Sequence, residues 1–264
     1  MSDTETPGRK GFQVSGEAYD RFMGRYSVPL AVAFADAAGI ESGQTAIDVG
    51  CGPGALTAEL ARRLGPGNVA AVDPSEPFVA ACRRRNPGAD VRLAGAEELP
   101  YPEGRFDAAL AQLVLHFVDD PDAAAREMRR VVRSGGIVAA CVWDFGGGMT
   151  MLRSFWDAAR ACDPSAPDEA ETRRFGRDGE IAELFVAAGL RDVASGALDV
   201  AAAYEDFDDL WMPFTTGTGP AGLYVASLDS RQQARLREGL RLRVDQPDGP
   251  FTLTARAWFA TGRV

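Results

Sequence analysis

Asp48, Gly50, Gly52, Gly54 and Asp73 are the residues whose types and spacing can do chemistry together. In residues 46–57 (AIDVGCGPGALT) a short apolar run breaks into three alternate glycines and then turns helical. A backbone without Cβ can take φ > 0 and let a ligand lie directly against it. Ala55–Leu64 repeats apolar residues at helical spacing, so the free N–H groups and positive end of a helix arrive at the same place. That is the floor of a nucleotide-sized pocket. Asp48 puts a carboxylate two residues before the first glycine, which repels a pyrophosphate and suits an ammonium. Asp73 ends the apolar run 68–72, where a carboxylate can accept both hydroxyls of a ribose. Two other readings stay open at this point. Gly50-x-Gly52-x-x-Ala55 also fits the dinucleotide fingerprint, and Asp73 can cap the helix that Pro74 and Ser75 open.

The elements that must position these residues follow in order. A strand at 90–93 leads into Ala94-Gly95-Ala96-Glu97, and a buried strand at 106–111 delivers Gln112 to His116 into the crevice at the carboxyl edge of a parallel sheet. Asp119-Asp120-Pro121 starts a helix running to residue 132, and Gly135-Gly136 precedes a fifth strand at 137–143 that ends at Asp144. The segments IDVGCGPG (47–54), AVDPS (71–75), GAEELPYPEGRFDAAL (95–110), QLVLHFVDDP (112–121) and VVRSGG (131–136) stand in fixed order.

With these segments the chain resembles the class I S-adenosylmethionine-dependent methyltransferases, in particular the small-molecule group similar to the ubiquinone and menaquinone biosynthesis enzymes. The resemblance covers 46–143, and departs from the family's usual pattern at Arg133-Ser134, where Arg or Lys followed by Pro is common. It implies S-adenosylmethionine as cofactor, S-adenosylhomocysteine as product, and no metal. It further implies that Asp48 and the loop of Gly50, Cys51, Gly52 and Gly54 hold the methionine part, Asp73 with Pro74 the ribose, and Ala96 with Glu97 the adenine, with Gln112 beside them.

Residues 1–15 are polar and aperiodic and are expected to be disordered; residues 16–264 are expected to form one domain. Within it, 16–44 reads as a helical cover interrupted at Pro29, from which Tyr19, Arg25 and Tyr26 could meet the cofactor's carboxylate or sulfonium, or the tyrosines could pack at the core edge. Residues 145–177 read as a substrate lid, on which Met151, Phe155 and Trp156 either line the acceptor site or form plain core. Methyl transfer from a sulfonium needs positioning and desolvation first, and a base only where the acceptor atom loses a proton. His116, in the apolar run LVLHFV, and Asp144 are the candidates for that base; the alternatives are a packed histidine and a loop cap.

Further on, a sixth strand is expected at 193–201, one helix at 221–242, and a closing antiparallel edge strand at 251–263. The fold class is therefore α/β: a Rossmann-like, doubly wound, mostly parallel seven-stranded sheet with an antiparallel last strand and a helical lid. Lys and Arg total 28 against 38 Asp and Glu, a net charge of −10, which disfavours a nucleic-acid partner. Four cysteines without short paired spacing and a single histidine argue against a zinc site and a disulfide framework. No apolar run reaches the ~18 residues of a membrane span, so a cytoplasmic location is expected, with a small-molecule acceptor as partner. A cofactor-binding protein without methyl transfer, and a nicotinamide oxidoreductase, are the alternative functions.

Overall fold

The computed structural model describes residues 20–245 and 248–264; the expected tail and Tyr19 lie outside them. Among the described residues seven strands form one sheet: β1 (Ala46–Val49), β2 (Val69–Asp73), β3 (Asp90–Leu93), β4 (Phe106–Gln112), β5 (Val132–Trp143), β6 (Arg191–Tyr204) and β7 (Phe251–Arg263). Their order is β3-β2-β1-β4-β5-β7-β6. All neighbours pair parallel except β7, which runs antiparallel to both β5 and β6.

Every residue of β1 and β2 is buried, with no alternation, because helices cover both faces of the sheet. α1 (Arg25–Ala37) precedes β1; α2 (Ala55–Leu64) and α3 (Glu76–Arg85) follow β1 and β2; α4 (Pro121–Val131) links β4 to β5. α2 buries Leu56, Leu60 and Leu64, one stripe at four-residue spacing. α4 starts where its sequence says it should: Asp120 accepts the Ala123 N–H over 2.9 Å and Pro121 opens the first turn. α5 (Thr150–Cys162), α6 (Glu169–Thr172) and α7 (Glu180–Ala187) lie between β5 and β6; α8 (Phe207–Trp211), α9 (Gly219–Ser227) and α10 (Ser230–Arg243) lie between β6 and β7. Connections leave β1 in one direction and β4 in the other, so the crevice between their carboxyl ends is where such a sheet binds a ligand.

Four local expectations are corrected. β7 is antiparallel but internal, between β5 and β6, and β6 is the edge; alternating burial identifies the faces of a strand and not its neighbours. The expected helix at 221–242 is two, α9 and α10, parted at Asp229, whose carboxylate accepts the Arg231 and Gln232 N–H groups while Gln232 Oε1 accepts the Asp229 N–H. α1 passes through Pro29 unbroken, its face of Tyr26, Leu30 and Phe34 fully buried against the core. Gly135 and Gly136 lie inside β5, where the register against β4 jumps between the Phe106↔Val132 and Ala108↔Ile137 pairs.

Candidate functional site

β1 ends in a loop that is tied down on both sides. Gly50 and Cys51 donate their N–H groups to the Val72 carbonyl over 2.8 and 2.9 Å, which fastens the loop to β2. Gly54, at the start of α2, has φ 98°, and a Cβ there would stand 2.4 Å from Asn86 Nδ2 and 2.9 Å from Cys82 Sγ. Only glycine gives both that backbone conformation and that approach.

A cavity of about 500 Å³ opens above this loop, within the usual size of small-molecule sites. Asp48, Gly50, Cys51 and Gly52 line it from β1, Asp73 and Pro74 from β2, Ala96 and Glu97 from the turn after β3, and Gln112 from β4. The chain thus brings together residues spread over 65 positions, from Asp48 to Gln112, because all come from the ends of four neighbouring parallel strands.

Asp73 is 7 % exposed. Its Oδ2 accepts the Gly52 N–H at 2.9 Å and its Oδ1 the Ser75 N–H at 2.8 Å. Burial pushes the carboxyl up to about 6, and the two backbone bonds act the other way. A carboxylate has about four lone-pair sites, so two N–H groups fix its orientation and still leave room for two hydroxyls. Asp48 is more deeply buried and accepts the Thr57 hydroxyl at 2.6 Å; burial pushes it up to about 8, against that bond. A cation brought against Asp48 would favour its ionised form. Gln112 donates Nε2 to the Ser27 carbonyl at 3.0 Å, which leaves its Oε1 buried without a partner. A buried acceptor of this kind at a cavity wall suits a ligand N–H.

Other sequence-predicted residues are placed elsewhere. Arg25 does not line the cavity: its guanidinium holds Asp209 at 2.7 and 3.0 Å, donates to the Ala203 carbonyl at 2.8 Å and lies 4.3 Å from the Tyr204 ring centre. Tyr26 is fully buried, its hydroxyl 2.9 Å from that of Tyr204 and its ring edge-on to Trp143. Ser27 is the α1 residue that reaches the cavity. Asp144 accepts the Gly146 N–H at 3.0 Å and lines neither cavity described here. Met151, Phe155 and Trp156 are core: Phe155 stacks on Phe214 at 4.5 Å, Trp156 donates to Glu169 at 3.0 Å, and Met151 Sδ accepts the Tyr204 hydroxyl at 3.3 Å.

His116 lies on a single 3₁₀ turn, Leu115–Phe117, beside a second cavity of about 40 Å³. Leu113 and Phe117 form a wall common to both cavities. Burial, aided by the Arg173 charge, holds the His116 imidazole well below its usual range, so it is neutral. Leu113 has φ 63°, rare for a branched residue, and is held there by its N–H bond to the Cys141 carbonyl at 2.8 Å. Leu113, Glu169, Gly219 and Pro220 at these walls carried no local signal as site residues. Among the described residues no three His, Cys, Asp or Glu side chains gather as metal ligands.

Five parallel strands closed by an antiparallel β7 between β5 and β6, with a carboxylate-lined cavity at the carboxyl ends of β1, β2 and β4, define the class I methyltransferase fold. Residues 47–140 match the family model described as a methyltransferase domain. The chain is 34 % identical over 116 residues to a fatty-acid O-methyltransferase of Mycolicibacterium smegmatis, covering 43 % of this chain and 42 % of that one. It is 37 % identical over 108 residues to the ubiquinone/menaquinone biosynthesis C-methyltransferase UbiE of Escherichia coli, covering 38 % and 43 %. The match thus spans less than half the length of these curated relatives. A solved SAM-dependent methyltransferase of Thermotoga maritima shares the fold at 17 % identity and a TM-score of 0.58, over 97 % of this chain and all of that one. Over residues 47–140 the chain is thus similar to S-adenosylmethionine-dependent methyltransferases, and it shares their fold.

Proposed function

We propose that this chain transfers a methyl group from S-adenosylmethionine to a small-molecule acceptor and releases S-adenosylhomocysteine. The observation that carries the reading is the Asp73 carboxylate, oriented by Gly52 and Ser75 at the wall of a 500 Å³ cavity that also holds the buried, unpartnered Gln112 Oε1.

The donor set fits the cofactor along its length. Asp73, with Pro74 beside it, accepts the ribose hydroxyls; Ala96 and Glu97 flank the adenine; Asp48, Gln112 and the loop of Gly50, Cys51 and Gly52 take the methionine end, whose ammonium suits the Gln112 oxygen, while Gly54 does not line the cavity and shapes the loop from behind, against Asn86 and Cys82. The bound cofactor supplies an activated methyl on a sulfonium, and the protein's own part is to bind, orient and exclude water. Arg25 and Tyr26 anchor the cover to β6 and α8 and leave cofactor contact to Ser27. Residues 145–177 act as the lid over the acceptor, with Leu152 and Glu169 at its inner surface. A net charge of −10 supports a small acceptor over a nucleic acid. No described helix is long and apolar enough to cross a membrane.

Calorimetric titration with S-adenosylhomocysteine and, in parallel, with NAD tests the reading. Micromolar binding of the first alone is expected; binding of NAD alone overturns it.

A further inference from the structure

Cys51 stands in the glycine loop and lines the 500 Å³ cavity; Cys82 stands on α3, behind the same loop, and does not line it. Both thiols are free and buried, and they share one small cluster with Ala71, Val79 and Val91. Their side chains are in hydrogen-bond contact with each other. The backbones approach as well. Gly54 donates its N–H to the Cys51 carbonyl at 2.9 Å, and a Cβ on Gly54 would stand 3.4 Å from Cys82 Cα. The other two cysteines are elsewhere: Cys141 is buried in β5, Cys162 ends α5, and neither lines this cavity.

From this pairing we propose that Cys51 and Cys82 form an oxidation site, at which hydrogen peroxide entering the main cavity joins the two sulfurs as a disulfide and closes the cavity to its ligand. The site stands on the thiol pair itself; only the identity of the ligand rests on the methyltransferase reading above.

The two sulfurs take different parts. Cys51 is 6 % exposed at the cavity wall, so a small oxidant reaches it first, whereas Cys82 is fully buried behind it. Cys82 Sγ lies 3.5 Å from Thr57 Oγ1 and accepts the Asn86 Nδ2–H at 3.6 Å. The Cys51 thiol, with Thr57 and Asn86 and against burial, holds Cys82 below the ordinary thiol range, while that same contact and burial push Cys51 above it. Cys82 is thus the partner that gives up its proton more readily and resolves the oxidised Cys51. In the first step a lone pair of the Cys51 sulfur attacks a peroxide oxygen as the O–O bond breaks, and the leaving oxygen takes the Cys51 proton and departs as water. In the second, Cys82 attacks the sulfenic sulfur. The S–S bond forms as the S–O bond breaks, and the hydroxyl leaves with the Cys82 proton as a second water. The thiols lose two electrons and the peroxide gains them.

Sulfurs in hydrogen-bond contact stand farther apart than the ~2.05 Å of a disulfide, so joining them draws Cys51 towards α3. That pull falls on the bonds that shape the cavity floor: Gly50 and Cys51 to the Val72 carbonyl, and Gly52 to Asp73 Oδ2.

The test uses the full chain carrying Cys162→Ser, which removes the one thiol that is not buried. The reduced protein is titrated with S-adenosylhomocysteine, oxidised with hydrogen peroxide, alkylated with N-ethylmaleimide, mapped by peptide mass spectrometry, and titrated again. Expected are a peptide pair linked through Cys51 and Cys82, an affinity at least about tenfold lower that dithiothreitol restores, and slower linking when S-adenosylhomocysteine is bound first. Adding Cys82→Ser should abolish the link and stop the reaction at a Cys51 sulfenic acid that dimedone traps. The proposal is overturned by the absence of the linked pair, by oxidation of Cys82 with Cys51 left free, or by a linked pair that leaves the affinity unchanged. If the Cys82→Ser chain does not fold, the peptide map of the Cys162→Ser chain decides alone. Failure of the reduced protein to bind S-adenosylhomocysteine removes the methyltransferase reading, while the linked peptide still decides the oxidation site.

Discussion

The backbone N–H of Gly52 meets Asp73 Oδ2 at 2.9 Å, so the glycine loop after β1 and the acidic end of β2 are one rigid unit. The same carboxylate takes the Ser75 N–H with its other oxygen. The cavity floor is therefore oriented before any ligand arrives, and little ordering remains to be done on binding.

Replacing Asp73 with Ala removes the anchor of Gly52 and, on the proposed function, the acceptor of the ribose hydroxyls. S-adenosylhomocysteine affinity should fall by ~1–3 kcal/mol, the cost of leaving hydroxyls unpaired. Titration calorimetry on the two proteins checks it, and an unchanged affinity refutes the role.

Two glycines of one loop should fail differently. At Gly54 a methyl meets Asn86 Nδ2 at 2.4 Å and Cys82 Sγ at 2.9 Å, so Gly54→Ala should cost several kcal/mol of stability, roughly the sum of overpacking and left-handed strain. At Gly52, which lines the cavity, nothing lies within 4 Å, so Gly52→Ala should cost only the strain, ~1–2 kcal/mol, and act on cofactor affinity instead. Thermal melts and calorimetry on the pair separate the two outcomes.

Asp48 makes stability depend on pH. Its carboxyl is pushed from an ordinary 3.8 up to about 8 by burial, so between those values the folded chain keeps a proton that the unfolded chain has lost. The contribution is full below 3.8 and is lost as pH rises towards about 8, at up to ~1.4 kcal/mol per pH unit. Relative to Asp48→Asn, the unaltered protein should lose urea resistance steadily from pH 5 to pH 8. Parallel curves for the two proteins would contradict this assignment.

Arg25→Ala tests what the cover is for. The Arg25–Asp209 pair is partly exposed, and with the Ala203 carbonyl bond its loss should lower stability by about 1 kcal/mol. S-adenosylhomocysteine affinity should stay within about twofold, since the guanidinium does not line the cavity. A tenfold loss of affinity with an unchanged melting temperature would return Arg25 to the cofactor.

Phe155→Ala should behave as a core deletion. The ring is fully buried and stacked on Phe214, so ~3–5 kcal/mol of stability should go with it. A melting temperature unchanged by the substitution would make Phe155 a pocket residue after all.

The bounds of β1, β7 and α2 were legible because each carries apolar residues at a fixed period stopped by glycine or a charge. The cavity wall of Asp48, Asp73, Ala96 and Gln112 was legible because parallel strands deliver their carboxyl ends to one edge. Pairings across the chain were not. Arg25 meets Asp209 over 184 positions, and nothing local to either residue announces it. Trp143 reads as the last apolar residue of a strand, and Glu169 as one acid in an acidic loop; only the fold brings both to one cavity wall. The stripe of Met151, Phe155 and Trp156 announces a buried face but not whether Phe214 or a ligand covers it.

The internal position of β7 sets a demand on synthesis. β6 hydrogen-bonds to no strand made before it; it joins the sheet only through β7, which is translated later and must enter between β6 and β5. A growing chain on the ribosome therefore completes its main cavity floor while β5 still ends in an open edge and β6 is unmoored. Such a chain has the floor of its main cavity assembled before its sheet is closed, and in that interval the exposed edges need protection from other nascent chains.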